Sequence, residues 1–137
     1  MRTSRIAVWP AMTMAAVLFA SPAWPADFKL SGNQMVPPSQ TSASGYGSID
    51  VSTDGTVSGS VTVTDMTAVS SELHLAEPGR NGPLVGYLTK TGDNTWTVVA
   101  GARLTPQQIN AFRAGALYVT VSSIAYKQGE LRGQIVP

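Results

Sequence analysis

From Gly45 to Thr64 the chain changes character at every second residue, and no other feature constrains its fold as much. Gly45, Gly47, Ile49 and Val51 alternate with Tyr46, Ser48 and Asp50. After Asp54-Gly55, Val57, Gly59, Val61 and Val63 alternate with Ser58, Ser60, Thr62 and Thr64. Side chains of a strand point to opposite faces in turn, so apolar residues on one parity and hydroxyls on the other describe a half-buried strand. Asp-Gly between two such runs is a hairpin signal, because both residues tolerate the backbone of a tight turn. Shorter runs of strand character occupy Phe28–Leu30, Glu72–Leu75, Leu84–Leu88, Trp96–Val99, Leu117–Ser122 and Glu130–Val136. Eight short strands separated by turn signals predict an all-β antiparallel sandwich or barrel.

One helix is expected, near residues 105–114. Thr105-Pro106-Gln107-Gln108 supplies a capping threonine, a proline for the first helical position and a glutamine that completes a capping box. Ile109 and Phe112 share a face, and Gly115 ends the turn. The loop Met35–Ser42, with Pro37-Pro38, is expected to be extended. A turn is expected at Asn81-Gly82-Pro83.

Residues 1–26 have the form of a secretory leader and not of the fold. Arg2 and Arg5 precede a charge-free apolar run from Ile6 to Ala20, followed by Ser21-Pro22-Ala23-Trp24-Pro25-Ala26. The run is shorter than the ~20 residues that span a bilayer, and Pro10 interrupts it. Cleavage after Ala23 places Ser21 at −3, whereas cleavage after Ala26 places bulky Trp24 there. The expectation is a periplasmic or secreted β domain over 27–137, without a transmembrane anchor once the leader is cut.

The full chain has 137 residues, a formal charge of +1, one histidine and no cysteine. Loss of Arg2 and Arg5 with the leader turns the small positive balance slightly negative. A strongly basic domain, the usual mark of nucleic-acid binding, is therefore not expected. Without cysteine there is no disulfide framework, thiolate metal site or thiol nucleophile.

Strand parity gathers the chemistry. If Leu73 and Leu75 point inward, Glu72 and His74 face out. If Leu117, Val119 and Val121 point inward, Tyr118, Thr120 and Ser122 face out. If Leu131 and Ile135 point inward, Glu130, Arg132 and Gln134 face out. Neighbouring strands would then bring Glu72, His74, Ser122, Glu130 and Arg132 into one patch. Three functions can be set against it. Glu72 and His74 offer two metal ligands at i, i+2, and Met35 or Met66 adds a soft third suited to copper. A Ser122–His74–Glu72 hydrolase would lack a nucleophile elbow and an evident oxyanion hole. The plainest reading is an exposed histidine beside a cross-strand ion pair, with a Glu130–Arg132 pair at i, i+2 that positions a strand edge or a neighbouring loop. Tyr46, Tyr87, Trp96 and Tyr118 could form a ligand platform, although packing is the commoner use of such rings.

Several of these pieces occur together in one family. Leu30-Ser31-Gly32-Asn33-Gln34-Met35-Val36-Pro37-Pro38, Asp54-Gly55-Thr56, Leu73-His74, Gly79-Arg80-Asn81-Gly82-Pro83, Leu117-Tyr118-Val119 and Gly129-Glu130-Leu131-Arg132-Gly133-Gln134-Ile135 resemble the CHRD (chordin-like) domain of exported bacterial proteins. The resemblance implies an immunoglobulin-like sandwich or barrel and a binding or structural role. It also implies structural duty for Pro37, Pro38, Asn81, Gly82, Pro83, Glu130, Arg132 and Gly133. The family usually has glutamate at Met35, a His-x-His strand at Glu72-Leu73-His74 and histidine at Ser122. One histidine where relatives offer about three argues against transferring a metal or catalytic role. The sequence therefore points to a non-catalytic binding or structural module without a cofactor, its partner undefined and, if a protein, extracytoplasmic. Periplasmic copper binding through His74, Glu72 and a methionine such as Met35 is the alternative.

Overall fold

The computed structural model describes residues 23–137. The expected leader core therefore lies outside the described residues. Eight strands follow in order: β1 (Ala23–Ser31), β2 (Ser44–Ser52), β3 (Val57–Thr64), β4 (Ser70–Leu75), β5 (Leu84–Lys90), β6 (Thr95–Val98), β7 (Leu117–Ser122) and β8 (Leu131–Ile135). Every pairing is antiparallel, and the strands close as a barrel in the order β1-β2-β3-β6-β5-β4-β7-β8. The expected all-β antiparallel fold is what forms, and its closed strand order fits a barrel.

The alternating residues sort as their parity predicts. Ile49, Val51, Val61, Leu73, Leu117, Val119, Val121, Leu131 and Ile135 are wholly buried in one core. Asp54 closes the β2–β3 hairpin by accepting from the Thr56 amide at 2.9 Å and from the Ser52 hydroxyl, with Gly55 at φ 90°. The pairing of β1 with β8 is confined to Ser31 and Arg132. There Gly133 lets β1 cross closely, since a Cβ would stand 2.6 Å from Phe28 and 2.8 Å from Leu30.

The single α-helix, α1 (Pro106–Arg113), lies in the long connection between β6 and β7. Its capping box is formed: Gln108 N–H donates to Thr105 Oγ1 at 3.2 Å, and Thr105 N–H donates to Gln108 Oε1 at 2.9 Å. Phe112 is fully buried in the core, and Ile109 packs beside it.

One strand departs from expectation at its start. β1 begins at Ala23 and pairs with β2 along its whole length, so Trp24 and Ala26 belong to the barrel. The Trp24-Pro25-Ala26 segment reads as the exit of a leader because its small residues and proline mask the inward parity it shares with Phe28 and Leu30.

Candidate functional site

Three neighbouring strands, β4, β7 and β8, carry the polar parity together. Their register sets Glu72 opposite Thr120, His74 opposite Tyr118, and Thr120 opposite Arg132. The face is outward but largely covered, most completely along β7 and at Arg132. All six residues of β7 are buried, with Tyr118 at 2% and Thr120 at 5% exposure. Loops return over this wall and roof it: residues 35–43 after the short 3-10 turn, residues 76–83 between β4 and β5, and residues 123–130 between β7 and β8.

Arg132 fixes the second of these loops. Its guanidinium is buried and makes four hydrogen bonds, all to neutral oxygens. Nη1 donates to the Arg80 carbonyl at 2.7 Å and Nη2 to the Glu77 carbonyl at 3.1 Å. Nε and Nη2 both donate to Gln134 Oε1, at 3.1 and 2.7 Å. The same guanidinium lies 3.6 Å above the ring of Tyr118, a cation–π contact of about 2 kcal/mol when desolvated. Burial pulls its pKa below the ordinary arginine value, and the adjoining Tyr118 phenol opposes that pull. Gln134 extends the clamp by donating to the Ala76 and Gly115 carbonyls, each at 2.8 Å.

His74 holds the far end of the same loop. Its ring is stacked against Tyr118, with centroids 5.3 Å apart and planes 14° from parallel. Nδ1 lies 3.0 Å from the Gly82 carbonyl, which can only accept, so Nδ1 carries a hydrogen. Gly82 N–H in turn donates to the Tyr118 hydroxyl at 2.9 Å. Only glycine fits at residue 82, because a Cβ there would lie 1.7 Å from the Leu75 carbonyl. Pro83 accepts from Leu75 N–H at 3.0 Å, and Asn81 Nδ2 donates to the Val36 carbonyl at 2.8 Å, tying this loop to the Pro37-Pro38 loop.

Glu130 corrects one expectation. It forms no ion pair with Arg132; its carboxylate is buried and accepts from Thr41 Oγ1 at 2.7 Å and Ser123 Oγ at 2.6 Å. Its carbonyl accepts from the Ser39 hydroxyl. Glu130 thus pins the first and third loops, while Arg132 pins the second. Two residues apart, Glu130 at the end of the third loop and Arg132 in β8, the two charged groups serve different loops and not each other. The expected exposed histidine is corrected as well: the His74 side chain is 19% exposed.

Between the loops lies a cleft of about 790 Å³. Glu72, His74, Tyr118, Thr120 and Arg132 form its floor, Met35, Val36, Pro37 and Pro38 one wall, and Ile124 to Gly129 the other. His74 Nε2 lies 3.2 Å from Glu72 Oε1. Met35 lines the same cleft, but it is 8% exposed and packs against Gly129. Among the described residues, no cluster of three or more His, Asp or Glu stands ready for a metal ion.

Ser122 does not join His74. It pairs with Ser70, four residues along β4 from the histidine, which is roughly 13 Å of strand. The aromatics also disperse: Trp96 is in the core, Tyr118 is under the loops, and Tyr46 and Tyr87 are exposed on the barrel surface. Sequence reasoning missed the third loop. Its Ser123 and Tyr126 knot it internally, and Tyr126 Oη donates to the Gln40 carbonyl at 2.8 Å. A turn ending in Gly129, at φ 132°, was the available signal.

A roofed cleft on the flank of a small antiparallel barrel defines the class of molecule: a β module whose buried charges, Glu130 and Arg132, hold its covering loops. The CHRD domain model matches residues 26–135, and the chain belongs to the CHRD family. No curated protein and no solved structure matches it.

Proposed function

We propose that this protein is an exported, non-catalytic binding module of the CHRD family, and that its ligand seat is the cleft between the three loops. The observation that carries the reading is the way the cleft is held. Arg132, Glu130, His74, Asn81 and Gln134 direct their hydrogen bonds to the loops that wall it. A pocket fixed before its ligand arrives loses less ordering entropy on binding. One apolar wall, Met35 to Pro38, beside a floor of polar groups also fits the composition of a ligand site. Non-catalysis is supported by the separation of Ser122 from His74 along β4. The periplasmic or secreted location rests on the leader-like residues 1–26.

The test is an amide chemical-shift map of the leader-free protein against a library of small polar and aromatic fragments. Binders should converge on Gly82, Thr120 and Gly129, and hydrolysis of a nitrophenyl ester should run no faster than in His74→Ala. Binders scattered over the barrel, or ester turnover lost in that variant, would sink the proposal.

The 3.2 Å contact of His74 Nε2 with Glu72 Oε1 favours one further reading, periplasmic copper binding. Nδ1–H held by a backbone carbonyl is the usual orientation of a ligating histidine, and Met35 on the same cleft would be the soft third ligand. Calorimetric titration with Cu(I) and Cu(II) decides: affinity no tighter than about micromolar, within reach of adventitious surface sites, removes this reading.

A further inference from the structure

We infer that the leader is removed between Ala23 and Trp24, and that the cut is made before the barrel folds. This rests on the proposed export. Residues 23–26 are where the leader and the fold compete for the same chain. Cleavage after Ala26 would hand Trp24, Pro25 and Ala26 to the leader, yet the barrel uses them. Ala26 is 4% exposed in the core and sits opposite the wholly buried Ile49. Trp24 sits opposite the wholly buried Val51 and packs against the core. Its ring also carries the guanidinium of Arg113, 4.0 Å above the centroid, which ties the end of α1 to the first strand. A chain beginning at Asp27 loses all of this and leaves the end of β2, from Ile49 onward, paired with β3 alone.

Leader peptidase chemistry selects the same bond. Leader cleavage wants small side chains at −1 and −3. A cut after Ala23 presents Ala23 and Ser21, and a cut after Ala26 presents Trp24 at −3. The reaction is hydrolysis: water adds across the Ala23–Trp24 amide, leaving a carboxylate on Ala23 and an ammonium on Trp24.

The order of events follows from the ladder. In the folded chain Ala23 pairs with Ser52 and Trp24 with Val51. A protease must draw an unpaired segment into its own cleft, so a bond zipped into a sheet is protected. The bond is accessible only while β1 is unpaired, which places cleavage on the unfolded chain.

The full chain, expressed in a bacterial host with a periplasm, provides the test through N-terminal sequencing of the exported product. The expected first residue is Trp24. A product beginning at Asp27 overturns the cut site while leaving export standing. A chain retained in the cytoplasm with its leader intact overturns export and the inference with it. Ala23→Phe should lower the yield of processed chain at least 10-fold, and Ala26→Val should be processed like wild type; the reverse pattern refutes the site. A chain starting at Asp27 should melt on the order of 10 °C below one starting at Trp24, and equal melting temperatures would remove the structural premise. Finally, purified folded precursor should resist a leader peptidase that cuts the urea-unfolded precursor, and equal rates would refute the order.

Discussion

Arg132 carries a full charge where no carboxylate lies within ion-pair distance among the described residues. Its compensation is a set of carbonyl dipoles and the face of Tyr118, all of which depend on the planar fork of a guanidinium. A lysine keeps the charge and loses the fork. Arg132→Lys should therefore cost about 2–3 kcal/mol in urea unfolding, since hydrogen bonds to a buried charged group are worth more than neutral ones. His74→Ala removes a half-buried side chain with two polar contacts and should cost about 1 kcal/mol, measured in the same way. Parity placed Glu72, His74, Tyr118 and Arg132 on the outward sides of their strands, and the adjacency of β4, β7 and β8, which parity does not give, makes those sides one floor. The sides were legible in the sequence; the roof was not. The bonds that build it end on the carbonyls of Ala76, Glu77, Arg80 and Gly82, and a carbonyl leaves no mark in the residue code. The same limit explains the misread Glu130, whose neighbour at i+2 invited a pairing that loop hydroxyls took instead.

At the scale of elements, local chemistry decides what the sequence reveals. The capping box of α1, the Asp54-Gly55 hairpin and the alternation of β2 and β3 are signals within a few residues, and all of them formed. Asp54 makes the hairpin sensitive to acid. The Ser52 hydroxyl and then the Thr56 amide hold its carboxyl well below the ordinary carboxylate range. A pKa lower in the folded than in the unfolded chain stabilises the fold at neutral pH, and that benefit disappears as pH falls through the carboxylate range and below. Wild type should thus exceed Asp54→Asn in urea midpoint at about pH 7, and the gap should narrow towards about pH 2. Gly133 tests a contact between elements distant in sequence. A valine there would push into Phe28 and Leu30, so Gly133→Val should cost about 3 kcal/mol, clearly more than His74→Ala. Thermal or urea unfolding of the two variants side by side checks the order.

Over the whole molecule, closure into a barrel could not be read from the chain. Alternation fixes which face is apolar, but it says nothing of which strands meet. Here β3 pairs with β6, β4 with β7, and β1 with β8, all across long stretches of sequence. The barrel supplies a rigid wall, and the CHRD motif residues fasten three loops to its outside. A preformed cleft requires those loops to be ordered before any ligand is present. Amide hydrogen exchange on the leader-free protein measures this directly. Ser39, Gly82, Tyr126 and Gly129, whose amides donate within the roof, should exchange far more slowly than free loop amides. In Arg132→Lys, protection at Gly82 should fall while β2 and β3 stay protected. Rapid exchange at all four amides in the wild-type protein would contradict the preformed cleft.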